Sequence, residues 1–349
     1  MLSQGFSLPL TDELFVAAWE SYIDEAKEKG VYQTLQNKLP QFSFPVREGI
    51  SKTEAYRAVT LRGDTVTDTS KEGAGLTLHH PEVLKLFLHP TIAGRIPVII
   101  IPDRRDFVTI VRALSHRNEP KTVPDSMGAC IIKGYNNWDR VKRYKMQWQQ
   151  QHPDGDWSME FLYFKEQKER YQDRMILLSE GSYSAVSASL IGLNEDEWQA
   201  KSLIIRLEHE CAHYTTLRLH GSMRNDLFDE LLADYQGIVA SFGHYRASLF
   251  LLFLGLENYP RLRPGGRFEN YREDPPLSEE ALLKKLALIV QAASNLETIE
   301  RAVTGSHQNS GDRTLVFPAL SRMTLEELAG ADALKSFTLS WQMISMQGN

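Results

Sequence analysis

The sequence predicts an α+β fold in which a small sheet packs on one long helix and a mostly helical part ends the chain. Three observations predict this fold. Short apolar runs between residues 97 and 190, bounded by prolines, glycines and polar residues, are typical of buried strands. Residues 194–220 carry a long helical pattern, and apolar residues recur at helical spacing from residue 278 onward.

The chain before the strands is predicted to be mostly helical. Residues 11–29 form a helix with Phe15, Trp19 and Tyr22 on one apolar stripe, which is more typical of a core contact than of a binding site. Prolines and glycines interrupt residues 39–75, and this pattern favours loops.

Three short runs supply the predicted sheet. They are Pro97–Pro102, Met127–Lys133 and Arg174–Ser179, with a helix at residues 105–115 between the first two. Tyr183–Leu190 is expected to continue the third strand as an extended segment. This third part of the sheet lies directly before the long helix.

The long helix carries the residues with the clearest chemistry. Its centre reads His209-Glu210-Cys211-Ala212-His213, an H-E-x-x-H sequence. Two histidines four positions apart lie on one face of a helix, one turn apart, so both imidazoles can reach a single cation. Zinc accepts such nitrogens, and Glu210 would lie beside the position of an attacking water as general base. A surface helix with two solvated histidines is the alternative that this motif alone leaves open.

A third metal ligand is predicted on the next helix. Glu230 lies 17 positions after His213, and the gap contains Gly221, a suitable helix C-terminus. Asn225 or Asp226 would cap the second helix, which folds back against the first. There Glu230 completes a three-ligand zinc site. One turn further on, Asp234 faces the same way and would accept the other N–H of a ligating histidine.

These five residues carry a resemblance to a known family. His209, Glu210 and His213 with Glu230 and Asp234 resemble the H-E-x-x-H plus E-x-x-x-D pattern of gluzincins, the thermolysin-like zinc metallopeptidases. The resemblance covers two helices, roughly a tenth of the chain. It implies a zincin-like fold, in which a sheet edge before the zinc helix binds the substrate backbone as an added strand. An internal strand of the sheet is the alternative for this segment. The metzincin pattern is excluded, because it needs glycine and histidine where this chain has Thr216 and Leu219.

The expected function is zinc-dependent hydrolysis of an amide bond, most simply in a peptide, with Glu210 as general base. Two other classes remain open. One is a zincin-like enzyme acting on a small metabolite or biosynthetic intermediate, and the other is a non-catalytic zinc protein, which a fourth protein ligand would favour. An oxyanion donor is also expected. The sequence does not choose among its candidates, which are Tyr183, His244, Tyr245 and His307.

The pattern divides the chain into three regions. Residues 1–95 are expected to be a mostly helical N-terminal region, and residues 96–257 the zincin-like region with the sheet and both zinc helices. Residues 258–349 form a helical C-terminal region. The segment Tyr259–Pro276, rich in proline, glycine and charge, is expected to be a long loop or a boundary between domains.

Composition excludes several function classes. The net charge of −6 offers no basic field for nucleic acid, and Cys130 and Cys211 give no disulfide framework. The N-terminus lacks the features of a signal peptide, and no apolar run reaches the length of a membrane span, about 18 residues. We therefore expect a cytoplasmic protein with a peptide or small-molecule substrate and no membrane or nucleic-acid partner. The oligomeric state is not predicted.

Overall fold

The computed structural model describes residues 8–65, 75–223, 226–273, 275–305 and 313–347. These residues form a mixed α+β fold in which helices predominate and the strands make one four-stranded sheet. The predicted fold class is therefore confirmed at this level. No described helix combines the length and the apolar character needed to cross a membrane.

The chain divides into two compact units. The N-terminal unit is Thr11–Glu180, and the C-terminal unit is Gly181–Asn349 together with the described residues before Thr11. The three predicted regions, residues 1–95, 96–257 and 258–349, stay a prediction. Residues 255–271 contact the helices of their own unit, with Arg263 donating to the Leu252 carbonyl and Arg267 to Asp234.

The N-terminal unit alternates helices with the strands of the sheet. Its regular elements are α1 (Val16–Lys29), α2 (Val31–Lys38), α3 (Glu54–Arg62), β1 (Lys85–His89), β2 (Ile96–Ile100), α4 (Arg104–Ser115), β3 (Ala129–Asn136), α5 (Trp138–Gln151), α6 (Trp157–Phe164) and β4 (Gln172–Leu178).

The sheet has the strand order β1-β2-β4-β3. β2 runs antiparallel to β1 and parallel to β4, whereas β3 and β4 are antiparallel. Every residue of β2 is buried, as an apolar run covered on both faces requires. The core of this unit joins the sheet to α1 and α4, with Trp19, Ile99, Phe107 and Met175 completely buried.

The predicted substrate-binding sheet edge is wrong. β4 is an interior strand, since Ile176 pairs with Val98 of β2 on one side and with Ile131 of β3 on the other. Its main-chain groups are therefore used within the sheet. The expected extended continuation is also wrong, because Tyr183–Ala185 is a turn of 3-10 helix and Ala188–Ile191 is α-helical. The small residues of this segment form a tight turn instead of an extended strand.

The regular elements described in the C-terminal unit are all helices. Its regular elements are α7 (Ala188–Ile191), α8 (Glu195–His220), α9 (Leu227–Phe242), α10 (Ala247–Leu254), α11 (Glu279–Gly305), α12 (Val316–Leu320), α13 (Leu325–Ala329) and α14 (Ala333–Gln347), with a 3-10 segment at Arg267–Tyr271.

Local sequence signals set the limits of the two central helices. The side chain of Asn194 accepts a hydrogen bond from the backbone N–H of Glu197 and so caps α8. α8 ends at Gly221, whose positive φ of 75° suits glycine. Asp226 caps α9 by accepting from the N–H of Asp229. The other predicted cap, Asn225, lies outside the described residues.

Candidate metal centre

The two histidines of the H-E-x-x-H motif face each other across one turn of α8. Their Nε2 atoms are 3.1 Å apart, and their ring planes are nearly perpendicular, at 82°. Both side chains are buried, with 8% of His209 and 6% of His213 exposed. The alternative of two solvated histidines on a surface helix is therefore wrong.

α9 lies antiparallel to α8, and the pairing is regular along both helices. Lys201 Nζ donates to the carbonyl of Ser241 at one end of the contact. Gly237 lies against the backbone of Ile205, where a methyl group would come within 2.7 Å of the carbonyl oxygen. One turn further along both helices, Asp234 meets His209, and after one more turn Glu230 meets His213. The close approach at Gly237 allows carboxylates of α9 to reach the imidazoles of α8.

Glu230 completes a group that could hold a metal ion. Its carboxylate oxygens lie 3.6 Å from Nε2 of His209 and 3.4 Å from Nε2 of His213. Ligands about 2.0–2.1 Å from a tetrahedral zinc ion are separated by about 3.3–3.4 Å. The separations of 3.1 Å between the two Nε2 atoms, 3.6 Å from His209 to Oε2 and 3.4 Å from His213 to Oε1 are close to that value, so one cation could contact both imidazoles and the carboxylate. These are the three predicted ligands, and all are buried.

Each histidine also faces a carboxylate with Nδ1, the ring nitrogen that is not directed at the ligand position. Nδ1 of His209 lies 2.8 Å from Asp234 Oδ1, within the predicted distance, and Nδ1 of His213 lies 3.3 Å from Asp229 Oδ2. A carboxylate at Nδ1 favours the tautomer in which Nδ1 carries the proton. Both Nε2 lone pairs then point, with Glu230, at the same position. Such a convergence of acceptors favours a cation at that position.

Asp229 was missed by the sequence reasoning. It directly precedes Glu230 in the first turn of α9, and its carboxylate is only 3% exposed. The signal that could have found it is the pair of adjacent acidic residues, because positions one residue apart on a helix face differently and can serve different histidines.

Electrostatics in this pocket favour a positive charge between the ligands. Burial by itself lowers the pKa of His213, but the carboxylates of Asp229, Glu230 and Glu210 outweigh it and raise the pKa to about 10. Burial raises the pKa of Glu230, whereas the two histidines and other cations lower it well below its usual range. The raised pKa favours the protonated form of His213 when no metal ion is bound.

Glu210, the predicted general base, is 8% exposed and lies beside both ligand histidines on α8. Its carboxylate is close enough to His213 to contribute to the raised pKa of that imidazole. The next residue, Cys211, is buried, and burial raises the pKa of its thiol well above the ordinary value. Burial of Cys211 is consistent with a packing role for its side chain.

The structure describes three of the four candidates for the oxyanion donor. The Tyr183 hydroxyl donates to Asp234 Oδ1 at 2.6 Å and lies 3.0 Å from Nδ1 of His209. It is therefore on the side of the imidazole that faces away from the ligand position. His244 is exposed after the end of α9, and Tyr245 is buried against Tyr235. The fourth candidate, His307, lies outside the described residues.

Tyr183 is held in place by α8. The guanidinium of Arg206 donates to the carbonyls of Gly181 and Ser182, and the backbone N–H of Tyr183 donates to Ser202 Oγ at 3.0 Å. The following residue, Ser184, has a positive φ of 51°, a conformation that costs free energy in a residue with a side chain. These contacts direct the Tyr183 ring toward Asp234.

Two residues of the 3-10 segment were missed because Tyr259–Pro276 was expected to be a loop or a domain boundary. Arg267 donates hydrogen bonds to the Tyr183 hydroxyl and to Asp234 Oδ2. Tyr271 is half-buried beside Glu230. Burial and this carboxylate, to which its hydroxyl donates, raise the tyrosine pKa above its ordinary value. No spacing rule connects residues 267 and 271 to the motif, so this placement requires the folded chain.

Comparison with known proteins gives one match. A family described as a family of unknown function, DUF7005, matches residues 1–332 of the chain. Neither a curated protein nor a solved structure matches the chain.

Proposed function

We propose that this chain, which belongs to the DUF7005 family, is a zinc-dependent hydrolase that cleaves amide bonds. The observation that carries the proposal is the convergence of three acceptor side chains, His209, His213 and Glu230, at separations that suit one tetrahedral ion. Two imidazoles and one carboxylate are a donor set that zinc accepts in catalytic sites, where the protein supplies three ligands and leaves a position open.

The residues of the chain have separate roles in this proposal. A bound zinc ion would supply Lewis-acid activation of a water and of the scissile carbonyl. Glu210 takes the proton of the attacking water and passes it to the leaving amine. Asp234 and Asp229 hold the Nδ1 protons of the two histidines, which keeps both Nε2 lone pairs directed at the ion.

The zincin-like fold is part of the proposal. Its support is the pair of antiparallel helices, one with H-E-x-x-H and one with E-x-x-x-D, as in the gluzincins that the motif resembles. Among the described residues, His209, His213 and Glu230 are the members of this metal-binding group. A group of three supports a catalytic site better than a closed structural site of four ligands.

Two classes of substrate remain as candidates. A peptide was expected from a sheet edge before the zinc helix, but β4 pairs on both sides and the described part of the C-terminal unit contains helices rather than strands. Binding of a peptide as an added strand therefore has no support from this unit. This observation favours the second candidate, a small molecule with an amide bond.

Metal content and two substitutions test the site. Protein purified without added metal should contain about one equivalent of zinc by elemental analysis. Glu230→Ala should lose the metal, whereas Glu210→Gln should keep it and lose turnover by about 10²–10⁴-fold. Glu195→Gln is the matched control, because this exposed glutamate lies at the start of the same helix. A metal-free wild type with full activity, or full activity in Glu210→Gln, would show the proposal to be wrong.

A substrate screen separates the two candidates. The wild type and Glu210→Gln are incubated with a mixed peptide library and with a panel of small amides, and products are identified by mass spectrometry. Cleavage of peptides by the wild type alone identifies a peptidase. Cleavage restricted to small amides identifies the second candidate, and zinc-loaded protein that cleaves neither panel contradicts amide hydrolysis.

A further inference from the structure

Arg267 is a buried cation next to the ligand set that the predicted motif does not include. Its side chain is 12% exposed, and one guanidinium group contacts two partners at once, the Tyr183 hydroxyl and the completely buried carboxylate of Asp234. The same guanidinium lies 3.8 Å from Glu230 Oε2, too far for a hydrogen bond but close for an ion pair.

The guanidinium and the imidazole hold different oxygens of Asp234. Oδ2 accepts from Arg267, whereas Oδ1 faces Nδ1 of His209 and accepts from Tyr183. Arg267 thus fixes the orientation in which Oδ1 of Asp234 is directed at His209.

The backbone before Arg267 is fixed by close contacts. A methyl group on Gly266 would come within 2.5 Å of the Leu254 carbonyl oxygen and 2.8 Å of the Gly255 Cα, so only glycine permits this approach. Arg263 strengthens the contact, since its backbone N–H donates to the Gly255 carbonyl and its guanidinium to the Leu252 carbonyl. The end of α10 therefore holds residues 263–266 and sets the position of Arg267.

We propose that Arg267 is a positioning residue of the metal centre, which acts through Asp234 on His209. Residues 255–267 are then a part of the site and not a linker. The inference rests on the proposed metal site, and it concerns binding of the ion rather than the reaction. Lysine cannot replace arginine here, because a single ammonium does not reproduce two N–H donors held in one plane toward Tyr183 and Asp234.

Zinc affinity of the full chain tests the inference. Arg267→Lys keeps the charge and should fold with a melting temperature close to the wild type. It should weaken zinc binding by about 10–100-fold in competition with a chelator, as removal of an outer-shell partner does. It should also shift the visible absorption bands of the cobalt-substituted protein. Arg272→Lys is the matched control, an exposed arginine five positions further on that should change neither quantity.

A double-mutant cycle shows whether Arg267 acts through Asp234. Asp234→Asn alone should weaken zinc binding by about 10–100-fold. In the Asp234→Asn background, Arg267→Lys should then have little further effect, since the partner it positions is no longer a carboxylate. Additive losses, or an Arg267→Lys protein that binds zinc within about twofold of the wild type, overturn the inference.

The outcomes separate this inference from the proposed function. A wild type that binds one zinc ion while Arg267→Lys binds it equally well contradicts the role of Arg267 alone. A wild type that binds no zinc contradicts both. Reduced affinity in Arg267→Lys together with zinc-loaded protein that hydrolyses no amide supports the role of Arg267 and contradicts only the proposed reaction.

Discussion

At the scale of residues, the site depends on which nitrogen of each histidine faces which acid. Asp234 and Asp229 each occupy the Nδ1 side of one imidazole, and Glu230 lies on the Nε2 side of both. The arrangement places negative charge on every side of two neutral rings. A cation at the centre, either a proton or a metal ion, compensates that charge.

A proton and a zinc ion would compete for this central position, so zinc affinity should depend on pH. Below its pKa of about 10, the imidazole of His213 holds a proton in the metal-free protein, and zinc must displace that proton. The apparent association constant should therefore increase with pH, by about tenfold per pH unit between about 7 and 9, and level off above about 10. Chelator competition at a series of pH values measures this slope.

Asp229→Asn provides the control for the pH dependence. It removes one of the carboxylates that raise the pKa of His213, so the increase of affinity with pH should level off at a lower pH than in the wild type. An affinity for zinc that does not change between pH 7 and 9 would contradict the predicted proton displacement.

At the scale of elements, the distance between α8 and α9 decides whether the ligands meet. Gly237 is a point of close approach, where an added Cβ would lie 2.7 Å from the Ile205 carbonyl oxygen. His209 and Asp234 follow one turn away from this point, and His213 and Glu230 two turns away. A change of helix spacing at Gly237 is therefore transmitted directly to the ligand separations.

Gly237→Ala should destabilise the protein even though alanine favours helix by about 1 kcal/mol. The added methyl group would lie 2.7 Å from the Ile205 carbonyl oxygen, and relieving that overlap moves the helices apart. We expect a loss of about 1–3 kcal/mol in the free energy of unfolding, measured by urea denaturation. Zinc affinity should fall by about 10–100-fold, because Glu230 withdraws from the histidines.

Ala240→Gly separates stability from ligand spacing. Ala240 is exposed on the same helix, so glycine there should cost about 1 kcal/mol through helix propensity without moving α9. Its zinc affinity should equal that of the wild type. If Gly237→Ala also binds zinc like the wild type, the spacing of the two helices does not control the site.

At the scale of the whole molecule, the metal centre belongs to one of the two compact units. Every residue assigned to it, from Tyr183 on the turn before α8 to Tyr271 on the 3-10 segment, lies in the C-terminal unit. The sheet, in contrast, is made within Thr11–Glu180. Binding free energy of the ion is therefore expected to stabilise the C-terminal unit specifically.

Hydrogen exchange tests whether zinc binding stabilises the C-terminal unit specifically. With free zinc about 100-fold above the dissociation constant, binding contributes about 2.7 kcal/mol to the stability of the state that binds it. Chelation should therefore accelerate amide exchange in α8, in α9 and in residues 255–271, by up to about 100-fold. Exchange within residues 11–180 should stay unchanged, and an equal acceleration in both units would contradict the assignment.

Local patterns predicted the parts of the site that one or two helices determine. Helical periodicity places His209 and His213 on one face whatever the rest of the chain does, and caps at Asn194 and Asp226 limit the two helices. The short connection between these helices favours their return alongside each other, and this brought Glu230 and Asp234 into the prediction. The three short runs also form strands, at β2, β3 and β4.

The errors concern pairings over long distances along the chain. Whether β4 is an edge or an interior strand depends on β2 and β3, which pair with it from positions about 40–80 residues away. A proline- and glycine-rich composition predicted a loop at residues 259–276, but the same composition allows the Gly255–Gly266 contact that holds a buried arginine. Composition indicates how much conformational freedom the backbone of a segment has, but not which surface the segment packs against.

The sequence by itself indicated the candidate ligand set, because helix geometry places His209 and His213 on one face and the short connection to the next helix favours the return of Glu230. Only the tertiary structure decided how that set is completed. The approach of α9 to α8 at Gly237 assigned Asp229 to His213, and the packing of residues 255–267 on α10 brought Arg267 to Asp234. Such contacts depend on the shapes of whole surfaces, which no local periodicity records.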